Sequence, residues 1–115
     1  MVTPGPASIV VVPFPFSDLS GAKLRPAVVL TNAGRGDWLL CQITSNPYSD
    51  PDAIRITSKE LQKGALTSTI SFARPLKLFT ASETVMDKRV AILKDETFKA
   101  ILMATIESLR KNLPK

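Results

Sequence analysis

Hydrophobic and polar positions in the first part of the chain follow the short, apolar pattern of β-strands. Residues 8–12 are rich in β-branched side chains and too few for a helix, so they predict a strand. The wholly apolar residues 27–30 predict a second strand, buried on both faces, and residues 38–44 a third. Because turn-forming residues fill positions 32–37, we expect the second and third strands to form an antiparallel hairpin.

The middle of the chain combines a half-buried strand with a short helical signal. Residues 53–57 alternate apolar and polar side chains, as in a strand with one face in water. Thr57 and Glu60 have the spacing of a helix capping box, and Gly64 is a typical helix stop. We therefore expect one or two helical turns between residues 57 and 64.

The last third predicts more strand and then one long helix. Residues 69–72 and 76–79 are expected to be strands joined by a bend at residues 73–75, whereas residues 88–93 fit either a strand or a helix. Asp95 is expected to be the N-cap of an amphipathic helix. The apolar stripe of that helix is Phe98, Ile101, Leu102, Ile106 and Leu109. Strands followed by a terminal helix predict a mainly β fold, a barrel or sheet with the helix packed against it.

The size and composition favour one globular domain over residues 1–115. Hydrophobic residues make up 44% of the 115 positions and charged residues 22%, so the chain can bury a core. No apolar run is long enough to span a bilayer. The single cysteine, Cys41, lies in an apolar run and forms no internal disulfide, which fits the reducing cytoplasm.

Charge and the absence of one residue type narrow the chemistry. A net charge of +5 favours polyanionic partners, although such a charge also aids solubility. The chain contains no histidine, which removes the commonest acid and base at neutral pH. With one cysteine it also excludes the usual zinc sites, so we predict no metal site.

Three polar stretches are candidates for an anion site. Lys23 and Arg25 precede the second strand, and Thr44 and Ser45 end the third, so an antiparallel hairpin brings Arg25 near Thr44. Each stretch also has an ordinary interpretation, as a solvated charge or as turn chemistry. In the third stretch, Ser71 and Arg74 are spaced to add a hydroxyl and a second guanidinium.

Aromatic residues are few and offer two candidates for base stacking. Trp38 begins an apolar strand and is expected in the core, as is Phe72, whereas Tyr48 lies in a loop and its role stays open.

The motifs at residues 9–18, 21–30 and 42–45 resemble, in order and spacing, the successive signatures of the MazF/PemK family of bacterial toxins. The resemblance spans roughly residues 8–80. It implies an SH3-like β-barrel with short helices and a C-terminal helix, a homodimer, and cleavage of single-stranded RNA without metal or cofactor. It also implies a cognate antitoxin whose acidic, flexible segment covers the RNA site.

Residue by residue, the family's catalytic arginine falls on Arg25 and its strand-end threonine on Thr44, with Ser45 beside it. The family's later Ser-x-x-Arg stretch falls on Ser71 and Arg74. Two departures stand out in this sequence. Some members have a histidine near the first loop, and an acidic residue common two positions after that arginine is here Leu76.

RNA cleavage by attack of the 2′-hydroxyl needs a base, an acid and groups that stabilise the phosphate. We expect Arg25 to neutralise the phosphate, with Thr44 and Ser45 donating hydrogen bonds and Lys23 adding charge. A guanidinium is a poor base, so Asp18 is a candidate for that role, although an aspartate in a loop also stabilises turns.

Two other functions remain open at the level of sequence. The same fold class includes toxins that poison DNA gyrase, which would not need the pair Arg25 and Thr44. A member that binds RNA or antitoxin without cutting is compatible with the missing histidine and with Leu76.

Overall fold

The computed structural model describes residues 4–13 and 23–115. Asp18 lies outside the described residues. The strands are β1 (Ser8–Pro13), β2 (Leu24–Gly34), β3 (Asp37–Thr44), β4 (Ile54–Ile56), β5 (Leu61–Gly64), β6 (Ser71–Ser82) and β7 (Lys88–Leu93). One α-helix, α1 (Asp95–Arg110), follows them, and two single 3₁₀ turns lie at Ser58–Glu60 and Glu83–Val85.

The seven strands form one sheet in the order β4-β6-β3-β2-β1-β7-β5, which curls into a nearly closed barrel. The three central strands are sequential and antiparallel, with Ile9 opposite Val28 and Val28 opposite Cys41. The predicted hairpin of β2 and β3 is therefore confirmed, and so is the mainly β barrel with one C-terminal helix.

The central strands are buried on both faces, which confirms the prediction made for residues 27–30 of β2. The first core cluster includes Val28, Cys41, Ile43 and Ala73 together with Ile101 from α1. The second, smaller cluster lies on the other side of the same strands. It consists of Val10, Val12, Ala27, Val29, Leu40 and Met86. We call the side of β2, β3, β4 and β6 that points away from the first cluster the outer face.

β6 changes register halfway along its length. Ala73 pairs with Ile43, but Leu78 pairs with Cys41, so residues 74–77 bulge out against a single residue of β3. The side chains of the neighbours satisfy the backbone there: Thr105 Oγ1 of α1 donates to the carbonyl of Pro75 at 2.9 Å. The two strands predicted on either side of residues 73–75 are one strand with a bulge.

Several local predictions need correction. The capping box of Thr57 and Glu60 is present, but it starts a single 3₁₀ turn, and the chain then enters β5 instead of a longer helix. Gly64 is a strand residue with φ of 84°, where an added Cβ would lie 2.1 Å from the carbonyl oxygen of Val90. It ends no helix.

The terminal segment is close to its prediction. Residues 88–93 are strand β7, which resolves the ambiguity of their pattern. The helix is capped by Lys94 without a side-chain bond, and Asp95 is its first residue, not the N-cap. Ile101 is fully buried, whereas Ile106 and Leu109 near the end of the apolar stripe are exposed. In the described part of the chain, no helix is long and apolar enough to cross a membrane.

Candidate functional site

The pairing of β2 with β3 brings together the two strand ends that carry the predicted catalytic residues. Ala27 pairs with Gln42. Continuing this register by two residues sets Arg25, at the start of β2, opposite Thr44, the last residue of β3. Directly opposite residues share one face of a sheet, so the side chains of Arg25 and Thr44 project to the same side.

That side is the outer face. Ile43 and Ala73 belong to the first core cluster, so their neighbours in sequence project the other way. By this alternation Gln42 and Thr44 of β3 and Arg74 of β6 reach the outer face. Arg74 Nη1 donates to Gln42 Oε1 at 3.4 Å, which confirms that these two side chains meet there.

Arg74 is already engaged by the loop that follows β3. Its Nε donates to Asp50 Oδ2 at 3.0 Å, and its guanidinium lies 5.7 Å from the centre of the Tyr48 ring. This hydrogen bond from Arg74, helped by the backbone N–H of Asp52, holds the pKa of the Asp50 carboxyl below its ordinary value. Arg74 therefore anchors the loop of residues 45–53, and Asp50 is a carboxylate with little tendency to take up a proton.

The loop itself is tightly turned. Tyr48 and Ser49 have φ of 53° and 60°, in the left-handed region that side chains disfavour. Asn46 Oδ1 accepts the N–H of Tyr48 at 2.9 Å, and Asp50 Oδ1 accepts that of Asp52 at 2.9 Å. Side-chain oxygens thus stabilise the two turns, and the contact with Arg74 fixes the loop against the sheet.

Thr44 is oriented by the first residues of this loop. Its Oγ1 accepts the backbone N–H of Asn46 at 3.1 Å, which leaves the hydroxyl proton for another acceptor. Thr44 is only 6% exposed, so a ligand could contact only the small part of its side chain that reaches the surface. Beside it, Ser45 is exposed, as is Lys23 at the entry to β2.

Ser71 is not brought to the outer face. It alternates with Phe72 along β6, pairs with Ile56 of the first core cluster, and is 3% exposed. Its side chain therefore lies on the core side of the sheet, and the structure does not bring Ser71 together with Arg74 on the outer face in the way that the sequence predicted.

Cys41 is a core residue, as its sequence context predicted. It is fully buried, and its Sγ donates to the carbonyl oxygen of Arg74 at 3.0 Å, inside the bulge of β6. Burial raises the pKa of this thiol to about 12, so it stays protonated at neutral pH. Cys41 supports the segment that carries Arg74 and takes no part in the chemistry of the outer face.

Two members of the outer face carry no clear signal in the sequence. In the sequence, Asp50 precedes Pro51 and so only indicates a break in regular structure. Arg55 is the polar position of a strand with alternating apolar and polar residues. The alternation does show that Arg55 faces away from the core. Neither pattern reveals that Asp50 reaches Arg74, or that β4 pairs with β6 and so extends the same face.

This chain is similar to known proteins in its sequence and in its fold. Residues 6–109 match the family described as PemK-like, MazF-like toxin of type II toxin-antitoxin system. The chain belongs to this toxin family. The resemblance carried by the three motifs is thus confirmed over most of the sequence. No curated protein gave a significant sequence match.

Solved structures of toxins share the fold. An endoribonuclease in complex with its cognate antitoxin from a Mycobacterial species superposes with a TM-score of 0.70 at 12% identity, covering 97% of this chain and 100% of its own. MazF in the MazE-MazF complex (Form-III) from Deinococcus radiodurans gives 0.69 at 16% identity, with 93% and 96% covered. The Mycobacterium tuberculosis toxin MazF-mt6 gives 0.68 at 12% identity, with 90% and 96% covered.

The departure from the family pattern after Arg74 is a surface feature. Leu76 lies in the bulge of β6 and is 51% exposed. Among residues 4–13 and 23–115, no three histidine, cysteine, aspartate or glutamate side chains are grouped so that they could hold a metal ion.

Proposed function

We propose that this protein is the toxin of a type II toxin-antitoxin pair and acts in the cytoplasm as an endoribonuclease on single-stranded RNA. The proposal rests on one observation above the others. The register of β2 and β3, continued by two residues beyond the pair of Ala27 and Gln42, sets Arg25 opposite Thr44 at the ends of their strands, on a face that carries further guanidinium groups. Membership of the toxin family supports the same activity.

In the proposed reaction the nucleophile belongs to the substrate. The 2′-oxygen of one ribose attacks the adjacent phosphorus and loses its proton, the bond to the 5′-oxygen breaks, and that oxygen takes up a proton. The products are a 2′,3′-cyclic phosphate and a free 5′-hydroxyl. Arg25 neutralises the charge that builds on the phosphate, and the Thr44 hydroxyl donates to a non-bridging oxygen. Neither role requires a metal ion.

The reaction also needs a base that removes the proton of the 2′-hydroxyl, and the described residues offer no strong candidate for it. Asp50 is a carboxylate on the outer face, but its hydrogen bond with Arg74 lowers its pKa and makes it a weak proton acceptor. A guanidinium is a poor base, so Arg25 does not fill this role. Asp18, which lies outside the described residues, therefore stays a candidate for the base. Lys23 and Ser45 stay predicted contacts to the substrate.

The same face suits the predicted protein partner. It carries the guanidinium groups of Arg25, Arg55 and Arg74 against the carboxylate of Asp50, which gives an excess of positive charge. An acidic, flexible segment of an antitoxin would be attracted to this surface and would exclude RNA from it. A homodimer of the toxin is part of the proposal.

The test is to incubate the wild type and Arg25→Ala with mixed-sequence single-stranded RNA in EDTA and to map the new ends. Loss of one well-placed phosphate donor typically costs about 10²–10³ in rate, and Arg25→Ala should fall by that amount. Arg35→Ala is the matched control, because Arg35 is exposed at the far turn of the same hairpin. It should cleave like the wild type.

Other outcomes would contradict the proposal. Cleavage by Arg25→Ala at the wild-type rate would exclude the assigned mechanism. Binding of RNA without any new 2′,3′-cyclic ends would indicate a member that does not cut. Intact RNA together with trapped cleavage complexes on supercoiled plasmid would indicate a gyrase poison.

A further inference from the structure

The outer face continues beyond Thr44 across two more strands. Thr44 pairs with Phe72 of β6, and Phe72 pairs in turn with Arg55 of β4. Together with the register of β2 and β3, this aligns Arg25, Thr44, Phe72 and Arg55 in one row that crosses the sheet. Neighbouring strands lie about 4.8 Å apart, so the row from β2 to β4 extends about 14 Å, which is longer than a single nucleotide.

Phe72 was expected in the core, but its surroundings differ from those of a core residue. Its neighbours in β6, Ser71 and Ala73, are buried on the core side, so its ring projects to the outer face. It is half-buried, and among the described residues it is not part of the packing around either core cluster. A ring in this position, next to the hydroxyl of Thr44, has the form of a stacking platform for a base.

Arg55 occupies the end of the row. Its neighbours in β4, Ile54 and Ile56, pack with the first core cluster, so Arg55 projects outward, and it is exposed. Within residues 4–13 and 23–115 it forms no ion pair shorter than 4.0 Å. Hydrogen bonds from Thr57 lower the pKa of the Glu60 carboxyl, and the charge of Arg55 contributes to this shift at longer range. The nearby carboxylate of Glu60 is held by the side chain and backbone N–H of Thr57, each at 2.7 Å. Arg55 thus carries its charge on a face where Arg74 is already neutralised by Asp50.

We propose that Phe72 and Arg55 form a second nucleotide subsite, in which a base stacks on the ring of Phe72 and the adjoining phosphate binds the guanidinium of Arg55. The subsite rests on the proposed RNA-cleaving function and extends it. It implies that the RNA strand runs across the strands of the sheet, from β2 towards β4, with the scissile phosphate at Arg25 and Thr44.

The experiment measures binding separately from cleavage. Fluorescently labelled eight-nucleotide RNA of mixed sequence, methylated at every 2′-oxygen so that it cannot be cut, is titrated with each variant at several salt concentrations. Arg55→Gln should bind about fivefold more weakly, and the slope of log K against log salt should fall by about 0.7, the value for one phosphate contact on a single strand. Arg35→Gln removes the same charge at the other end of β2, about 30 Å from Arg25 along the strand. It should change neither the affinity nor the salt slope.

Phe72 is tested by a pair of variants that separates stacking from packing. Phe72→Leu keeps an apolar side chain but loses the ring, and it should bind about tenfold more weakly with an unchanged salt slope. Phe72→Tyr keeps the ring and should bind like the wild type. Thermal unfolding of both variants shows whether either change disturbs the fold.

The outcomes distinguish this subsite from the function on which it rests. If the wild type cuts unmodified RNA but Arg55→Gln binds the probe like Arg35→Gln, the subsite is wrong and the proposed function stands. Equal losses for Phe72→Leu and Phe72→Tyr would make Phe72 a packing residue. If Arg55→Gln weakens binding of a glutamate-rich peptide but not of the RNA probe, the row serves a protein partner instead. A wild type that neither cuts RNA nor binds the probe overturns the function and the subsite together.

Discussion

The ion pair between Arg74 and Asp50 is expected to act as a latch for the loop of residues 45–53. The two side chains are 21% and 15% exposed, so their ion pair is better shielded from water than a surface pair. We expect Arg74→Met to release this loop without unfolding the barrel, because the loop lies outside the ladder of the sheet. Methionine keeps much of the apolar stem of arginine and removes only the guanidinium.

The magnitude follows from the two interactions with the loop that the substitution removes; the third bond of the guanidinium, to Gln42, lies within the sheet. A hydrogen bond between charged groups contributes about 1.5–3 kcal/mol, and the exposed stack on Tyr48 about 0.5 kcal/mol more. Taking about 2 kcal/mol for the sum, the equilibrium for opening the loop should shift about 30-fold. Relief of the left-handed conformations of Tyr48 and Ser49 favours the open loop further.

Amide hydrogen exchange can measure the opening of the loop, because several backbone N–H groups of the loop are hydrogen-bonded within it. The N–H of Tyr48 is bonded to Asn46 Oδ1, and the N–H groups of Asp50 and Ala53 to the carbonyls of Pro47 and Asp50, all within the loop. In Arg74→Met these amides should exchange about 30-fold faster, whereas amides in β2 should keep their protection. Arg89→Met, an exposed arginine of β7, is the control. Unchanged exchange at Tyr48 and Ala53 would refute the latch.

The latch also has a predicted pH dependence. Because Arg74 lowers the pKa of Asp50, the stabilisation is present above the ordinary carboxyl pKa of 3.8 and is lost as the pH falls through the lowered value. Loop exchange corrected for its intrinsic rate should therefore rise on strong acidification in the wild type. In Asp50→Asn this pH-dependent part should be absent, and its persistence would mean that another group controls the loop.

Two further predictions concern the framework. Gly64→Ala should destabilise the protein by at least about 2 kcal/mol more than Gly36→Ala, as measured by urea unfolding; both glycines have positive φ, but only at Gly64 does the added Cβ meet backbone, at 2.1 Å. Equal losses of unfolding free energy in the two variants would show that β5 can move away from β7 without destabilising the protein. Cys41 should react with a thiol reagent only under denaturing conditions at neutral pH, because its thiol is buried and its pKa is raised to about 12; rapid labelling of the native protein would contradict this.

The sequence predicted the strands whose own apolar side chains are sufficient to indicate that they are buried. The apolar run of β2 and the turn after it were sufficient for the central hairpin, and hence for placing Arg25 beside Thr44. The long strand β6 reads as two strands because Pro75 breaks the local pattern. In the folded protein, the bulge places this proline where β3 requires no N–H, and Thr105 binds its carbonyl.

What the sequence could not predict are pairings between distant segments. Phe72 was expected in the core because it shares one face of a strand with the apolar Ile70. Ile70 is, however, 44% exposed, and the side of the sheet that Phe72 faces depends on where Ala73 packs. The charge of Arg74 is evident from its residue type, but its partner Asp50 is 24 residues away in a loop whose path no local pattern defines. Local propensity carries no information about such contacts.

The absence of histidine is consistent with the use of arginine as the source of positive charge on the outer face. A site without a group that titrates near neutrality has to stabilise an anion with charges that are always present, and guanidinium groups meet this requirement. Three of them lie on this face through the pairing of β2, β3, β6 and β4, and Arg74 is held there in an ion pair with Asp50. The two guanidinium groups proposed to bind phosphate, those of Arg25 and Arg55, therefore lie at the ends of one row, with the hydroxyl of Thr44 and the ring of Phe72 between them. If the proposed subsite is correct, such an order should select a flexible single strand, whose bases are free to stack, over a duplex whose bases are already paired.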